Sequence, residues 1–263
     1  MRQLLIMARH VLPLVLLTAF ILAGDAVADV KFVPGQTSNM QPGRDLHIRE
    51  FPHILISGQI SAADLKNVQA LMPQLQAAEP SIGNLVFLNS PGGNVIAAMK
   101  IGSFLRAMKA HTAVDSGDGC SSACIFVLAG GVERSAFTGS RLGLHRPSFD
   151  SALFAKLTSQ DADMLYTDLT IRCREYFRDM GIDDKLFSDM LRVPSQKILV
   201  VDTDYAENVR LHGTDPAYEE WTRARDIQKH GPAYVKQWDL RLECLNSGNN
   251  YQLCNERFPF PSQ

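Results

Sequence analysis

Charge of either sign is in short supply in this chain. Its 26 Lys and Arg face 28 Asp and Glu, leaving a net charge of −2, and no basic run gathers into the patch that nucleic acid would require. Beyond residue 24 no apolar stretch is long enough to span a bilayer. There is no internal repeat and no low-complexity segment. Metal chemistry also lacks material. Cys120 and Cys124 have C-x₃-C spacing, and a zinc site made from them with His111 or His145 would want a second ligand pair. The expectation is therefore no metal, no cofactor, no nucleic acid and no membrane after the leader is removed.

The leader itself is present. Arg2 and Arg9 precede a charge-free run, "VLPLVLLTAFILAG", and Ala26-Val27-Ala28 follows as a cleavage site before Asp29. A charged start, an apolar middle and small residues at the end form the pattern of a secretory signal, and a run interrupted by Pro13 is short for an anchor. Residues 1–28 are read as a signal peptide, and the mature protein as periplasmic or secreted. Export gives the five cysteines meaning, because an oxidising compartment lets them pair. Cys244 and Cys254 flank the polar loop "LNSGNNYQL", and a bridge there would remove about 2–3 kcal/mol of loop entropy from the unfolded chain. Cys120, Cys124 and Cys173 are an odd remainder, with a bridge to Cys173 and plain packing both open.

Residues 29–52 show no periodicity and read as an irregular lead-in. From 53 onward, strand-like runs ("HILISGQI", "NLVFLN", "HTAVD") alternate with helical spacing at Leu65–Leu75 and Ala98–Met108. Pro73 is expected to kink or end the first helix. Such alternation implies a parallel α/β domain over 53–214. "SGDGCSS" reads as a loop, "ACIFVLAGG" as a helix, "ILVV" as a late strand, and "DYAENVRLHG" as a short helix closed by Gly213. Residues 215–263 form a helical C-terminal extension with the disulfide loop.

Three stretches carry the chemistry: "SPGG" (90–93), "GCSSACIFVLAGG" (119–131) and "RLGLHRP" (141–147). A serine at a helix start can become a nucleophile if a histidine takes its proton. The oxygen that then turns negative on the attacked carbonyl needs fixed N–H donors, and a Gly-Gly turn presents them without a side chain in the way.

Together with "LISGQI", these motifs resemble in order and interval the ClpP/crotonase superfamily, and most closely the exported ClpP-like proteins of bacteria. The resemblance covers residues 53–147 well and extends weakly to about 213. It implies a ClpP/crotonase-like βαβ spiral core, Ser122 as nucleophile, His145 as general base, and the amides of Gly93 and Ala123 as the oxyanion hole. Ser121 is the rival nucleophile. It further implies a peptide or protein substrate and a homo-oligomer. The family's aspartate has no counterpart: its region reads "MLRVPSQKILVVDTDYAEN", with Ser195 and Gln196 near the place, and Asp189 and Asp202 align only with a shift. Two functions follow, an exported serine peptidase or a weakened relative serving as a binding or scaffold protein. An acyl-CoA enzyme of the crotonase kind is opposed by export.

Overall fold

The computed structural model describes residues 27–35, 48–78, 83–148 and 156–260. The leader read over 1–28 lies outside them except for Val27 and Ala28, and Ala28 packs into the core.

The alternation of β-branched runs and helical spacing becomes two sheets. The larger uses β1 (Asp29–Val33), β2 (His53–Ser57), β3 (Leu85–Asn89), β4 (His111–Val114), β6 (Glu133–Ala136) and β9 (Gly213–Thr214), in the order β1-β2-β3-β4-β6-β9. Its inner strands are parallel, and both edges, β1 and β9, run antiparallel. The smaller sheet is β5 (Gly119–Ser121), β7 (Arg141–Leu144) and β8 (Leu199–Val201). Helices α1 (Asp64–Ala78), α2 (Val95–Ala107) and α3 (Cys124–Ala129) belong to the α/β core, joined by α4 (Ser159–Asp179), α5 (Asp184–Arg192) and α6 (Thr203–Asn208). The extension is α7 (Pro216–His230), α8 (Pro232–Asn246) and α9 (Tyr251–Arg257). The expected α/β class with a helical tail is the observed one.

Strands β3 and β4 are apolar on both faces because both are covered. One face, with Ile54, Ile56, Val86, Leu88 and Val114, joins the main core under the helices; the other holds Leu85, Phe87 and Ala113 under Phe51 and Phe137. All six residues of α3 are buried, which explains why "CIFVLA" has no polar face.

Four local expectations need correction. Part of the lead-in is a strand, since Asp29–Val33 pairs with His53–Ser57. Helix α1 runs through Pro73 to Ala78; Pro73 is exposed, so the carbonyl that loses its N–H partner faces water while Met72 and Leu75 bury on the opposite side. Inside the Gly/Ser/Cys loop, Gly119–Ser121 pairs with Arg141–Gly143. Helix α6 ends at Asn208, where Arg210 takes a φ of 60°, and Gly213 instead pairs with Arg134.

Candidate functional site

The Pro-Gly-Gly turn leaves the end of β3 and is held from two sides. Ser90 Oγ donates to the carbonyl of Gly58 (2.6 Å) and accepts from the N–H of Gly92 (3.1 Å). Ile60 then brackets Gly93: its N–H donates to the Gly92 carbonyl (2.8 Å), and its carbonyl accepts from Asn94 (2.9 Å). Asn94 caps α2 by accepting from Ala97 at 2.8 Å. This pattern uses the polar groups on either side of Gly93 and leaves the Gly93 N–H with no acceptor among the described residues. Both glycines need their freedom, with φ of 104° at Gly92 and 143° at Gly93.

Strand β5 arrives beside this turn through Ser90, whose N–H donates to Gly119 (2.8 Å) and whose carbonyl accepts from Ser121 (3.0 Å). The chain then breaks its extended path. Ser122 adopts a φ of 57°, rare for a residue with a side chain, while its N–H donates to Gly143 in β7 at 2.8 Å. Ala123 turns into helical geometry with φ −59° and ψ −25°. Its N–H, too, lacks an acceptor among the described residues. Gly92 lies against this bend so closely that a methyl there would sit 2.6 Å from Ser122 Cβ and 2.9 Å from the Ala123 nitrogen. Gly92, which immediately precedes Gly93, thus lies against both Ser122 and the Ala123 nitrogen.

The rival serine goes elsewhere. Ser121 Oγ packs over Gly143, where an added methyl would meet it at 2.3 Å with Ile198 Cγ2 at 2.9 Å. Of the two, Ser122 is the one on the glycine turn.

His145 follows β7, two residues past the Gly143 carbonyl that holds Ser122, or about 7 Å of extended chain. Its ring Nδ1 lies 2.9 Å from the carbonyl of Arg146. A carbonyl only accepts, so Nδ1 is the donor of this pair, and in the neutral ring the lone pair lies on Nε2. Arg146 is itself anchored by donating its N–H to Val193 at 2.9 Å. Ser122 Oγ and His145 make no hydrogen bond to each other among the described residues; such contacts often tighten only when a substrate is bound.

Neither carboxylate considered from the sequence makes a hydrogen bond or ion pair with His145. Asp189 accepts from Lys185, Arg192 and the Tyr205 hydroxyl, and the Lys185 hydrogen bond in particular holds it below the usual carboxylate range. Asp202 caps α6 through Tyr205 N–H at 2.8 Å. The β7–β8 register places it beyond Val201, opposite the start of β7, whereas His145 lies at the other end, about 13 Å along the strand.

Two features were not foreseen. Cys120 and Cys124 are bonded to one another across Ser121–Ala123, with their Cα atoms 5.2 Å apart, and Cys173 is the free, buried cysteine. Burial pushes the Cys173 thiol up to about 12, so it is inert near neutrality. The expected Cys244–Cys254 bridge is present. Separately, His111 Nε2 lies 2.8 Å from Ser135 Oγ, with Glu133 Oε2 3.6 Å from Nδ1. These side chains stand on the regular strands β4 and β6 in ladder register, without the glycine turn and open amides that frame Ser122. A groove of about 420 Å³ opens between α1, α2 and α4, lined by Leu65, Ile96, Met99, Phe104 and Arg172, and holds none of the four expected site residues. No group of His, Cys, Asp and Glu among the described residues is arranged to hold a metal.

Residues 47–171 match the family model described as Clp protease, a span that contains Gly93, Ser122, Ala123 and His145. Among solved structures the chain is similar to a membrane-bound stomatin-specific protease, 1510-N, in a mutant form, with 14% identity, coverage of 60% of this chain and 75% of that one, and a TM-score of 0.45. The mixed α/β arrangement of parallel and antiparallel strands with helices is consistent with a ClpP-like fold.

Proposed function

We propose that this protein is an exported serine hydrolase of the ClpP/crotonase superfamily, acting as a peptidase on peptide or unfolded protein chains. His145 Nε2 takes the proton of Ser122 Oγ as that oxygen attacks a carbonyl carbon. The carbonyl oxygen becomes an oxyanion and receives the N–H groups of Gly93 and Ala123. Collapse of the intermediate breaks the C–N bond, His145 returns its proton to the leaving amine, and an acyl-Ser122 ester remains. Water, deprotonated by the same imidazole, then releases the acid and restores the serine.

The observation that supports this reading is the close approach of Gly92 to Ser122, which is held in a left-handed bend, and to the Ala123 nitrogen, the N–H groups of Gly93 and Ala123 having no acceptor among the described residues. Export is supported by the leader pattern and by the two disulfides, and no helix of the described residues is long and apolar enough to cross a membrane. A fluorophosphonate probe should label the purified, oxidised protein at Ser122. Labelling should vanish in Ser122→Ala and persist in Ser121→Ala. Folded protein that stays unlabelled overturns the proposal.

The second reading, a binding or scaffold protein with a weakened site, is favoured by one observation: the partner of His145 Nδ1 is a backbone carbonyl rather than a carboxylate. In a serine-protease triad, neutralising the orienting acid costs about 10⁴-fold in turnover. A protein that resists the probe while Ser122→Ala still captures its partners would fit that reading.

A further inference from the structure

The Cys120–Cys124 bridge spans Ser121, Ser122 and Ala123, the last two of which the proposed chemistry uses. Cys120 sits in β5, bridged to Ser90 on one side and paired with Leu142 on the other, so its backbone is fixed by both sheets. Cys124 opens α3, whose residues are all buried. Between these anchors the chain must reverse from strand to helix, and it does so by putting Ser122 into a conformation that side chains disfavour. Both cysteines are fully buried, so neither sulfur is offered to a substrate. Released from the cross-link, Ser122 could relax to an ordinary negative φ, which would swing its hydroxyl and turn the Ala123 N–H away from the Gly93 N–H.

Resting on the Ser122 reading, we propose that this disulfide is a positioning clamp and that its formation switches the hydrolase on. The newly made chain carries two thiols at 120 and 124. An external disulfide oxidant takes two electrons and two protons from them, the Sγ–Sγ bond forms, and the oxidant leaves as a dithiol. Only then are the hydroxyl and the Ala123 donor held in the arrangement seen here. A dithiol reductant, reaching the buried bridge only when the segment opens locally, runs the step backwards, leaves as a disulfide and switches the site off. The bridge between Cys244 and Cys254 joins α8 to α9 and has no part in this.

The test compares fluorophosphonate labelling rate, kcat and KM on a chromogenic ester in the full-length native chain, Cys120→Ala/Cys124→Ala and Cys244→Ala/Cys254→Ala, with circular dichroism to confirm folding. Loss of a single oxyanion donor lowers kcat by about 10²–10³-fold, so the folded 120/124 variant should lose about 10²-fold in labelling rate and kcat with KM little changed. The 244/254 variant should keep the native rate. Dithiothreitol should reproduce the loss in the native chain, and oxidised glutathione should reverse it. Native labelling at Ser122 that the folded 120/124 variant matches would overturn the clamp while leaving the Ser122 reading intact. If that variant fails to fold, the reduction experiment decides, and unchanged labelling after reduction of the bridge overturns the clamp. An oxidised native chain that is never labelled removes the Ser122 reading, and the clamp with it.

Discussion

At Gly92 the chain has room for a hydrogen and little more. An added methyl would meet Ser122 Cβ, the Ser121 carbonyl and the Ala123 nitrogen, all within 3 Å, in a backbone conformation that side chains avoid. Gly92→Ala should therefore push the serine bend away from the Gly93 amide. We expect labelling at Ser122 to slow by about 10²-fold or more, and denaturant titration to show a loss of about 1–3 kcal/mol. A variant that is destabilised yet labels at the native rate would separate packing from chemistry at this position. The Gly-Gly pair and His145 could be proposed from sequence because their order along the chain is distinctive. Which of two adjacent serines faces the turn could not be, since that depends on one φ angle at Ser122 and on the packing of Ser121 against Gly143. The missing acid was legible as an absence. The contact of His145 Nδ1 with the Arg146 carbonyl was not, because any residue supplies a carbonyl.

Helix α3, which follows Ser122, is held by two contacts at the scale of elements. It crosses α2 where two glycines meet: a methyl on Gly130 would lie 2.3 Å from Gly102 Cα. From the other side, Tyr176 of α4 donates its hydroxyl to the Phe126 carbonyl at 2.6 Å, and Phe177 stacks on Phe126 with ring centroids 4.4 Å apart. Burial drives the Tyr176 hydroxyl far above its ordinary pKa, so it stays a donor. Gly130→Ala should force the helices apart and cost about 2–4 kcal/mol by denaturant titration, as overpacking of a close backbone contact does. A cost under about 0.5 kcal/mol would show that the crossing has slack. Elements with strong periodicity, such as β3 and α2, were readable. Strand β5 was hidden because three residues bounded by Gly119 and the serine bend carry no pattern of their own. Helix α1 outlasted Pro73 because tertiary burial of Met72 and Leu75 outweighs one lost hydrogen bond.

At the scale of the whole molecule, His111 contributes to the response to acid. His111 is about one-fifth exposed, and burial, aided by nearby His212, pushes its pKa down from 6.5 to about 4. Glu133, 3.6 Å from its Nδ1, is itself raised by burial, so the folded chain takes up that group's proton ahead of the unfolded one and offsets part of the His111 loss. The unfolded chain then binds a proton near pH 6.5 that the folded chain refuses until about 4. This contribution is full above that window and is lost as pH falls through it, by up to roughly 3 kcal/mol. Urea midpoints should drop between pH 7 and pH 4.5, and His111→Asn should flatten the drop. The alternation of strands and helices foretold the parallel centre of the larger sheet. That the chain divides into two sheets was not foretold, because the division turns on the short β5.

Ser90 is the stitch between those layers, accepting from one strand and donating to the same strand while its own chain belongs to the other sheet. Gly93 is registered to Ile60 on one side of that seam, and Ser122 and His145 to β7 on the other. In the proposed chemistry, a slip of the sheets along this seam by a fraction of an ångström, within the core they share, would separate donor from donor before the fold is lost. Mild heat or denaturant would then produce a population that is folded by every bulk measure and chemically silent.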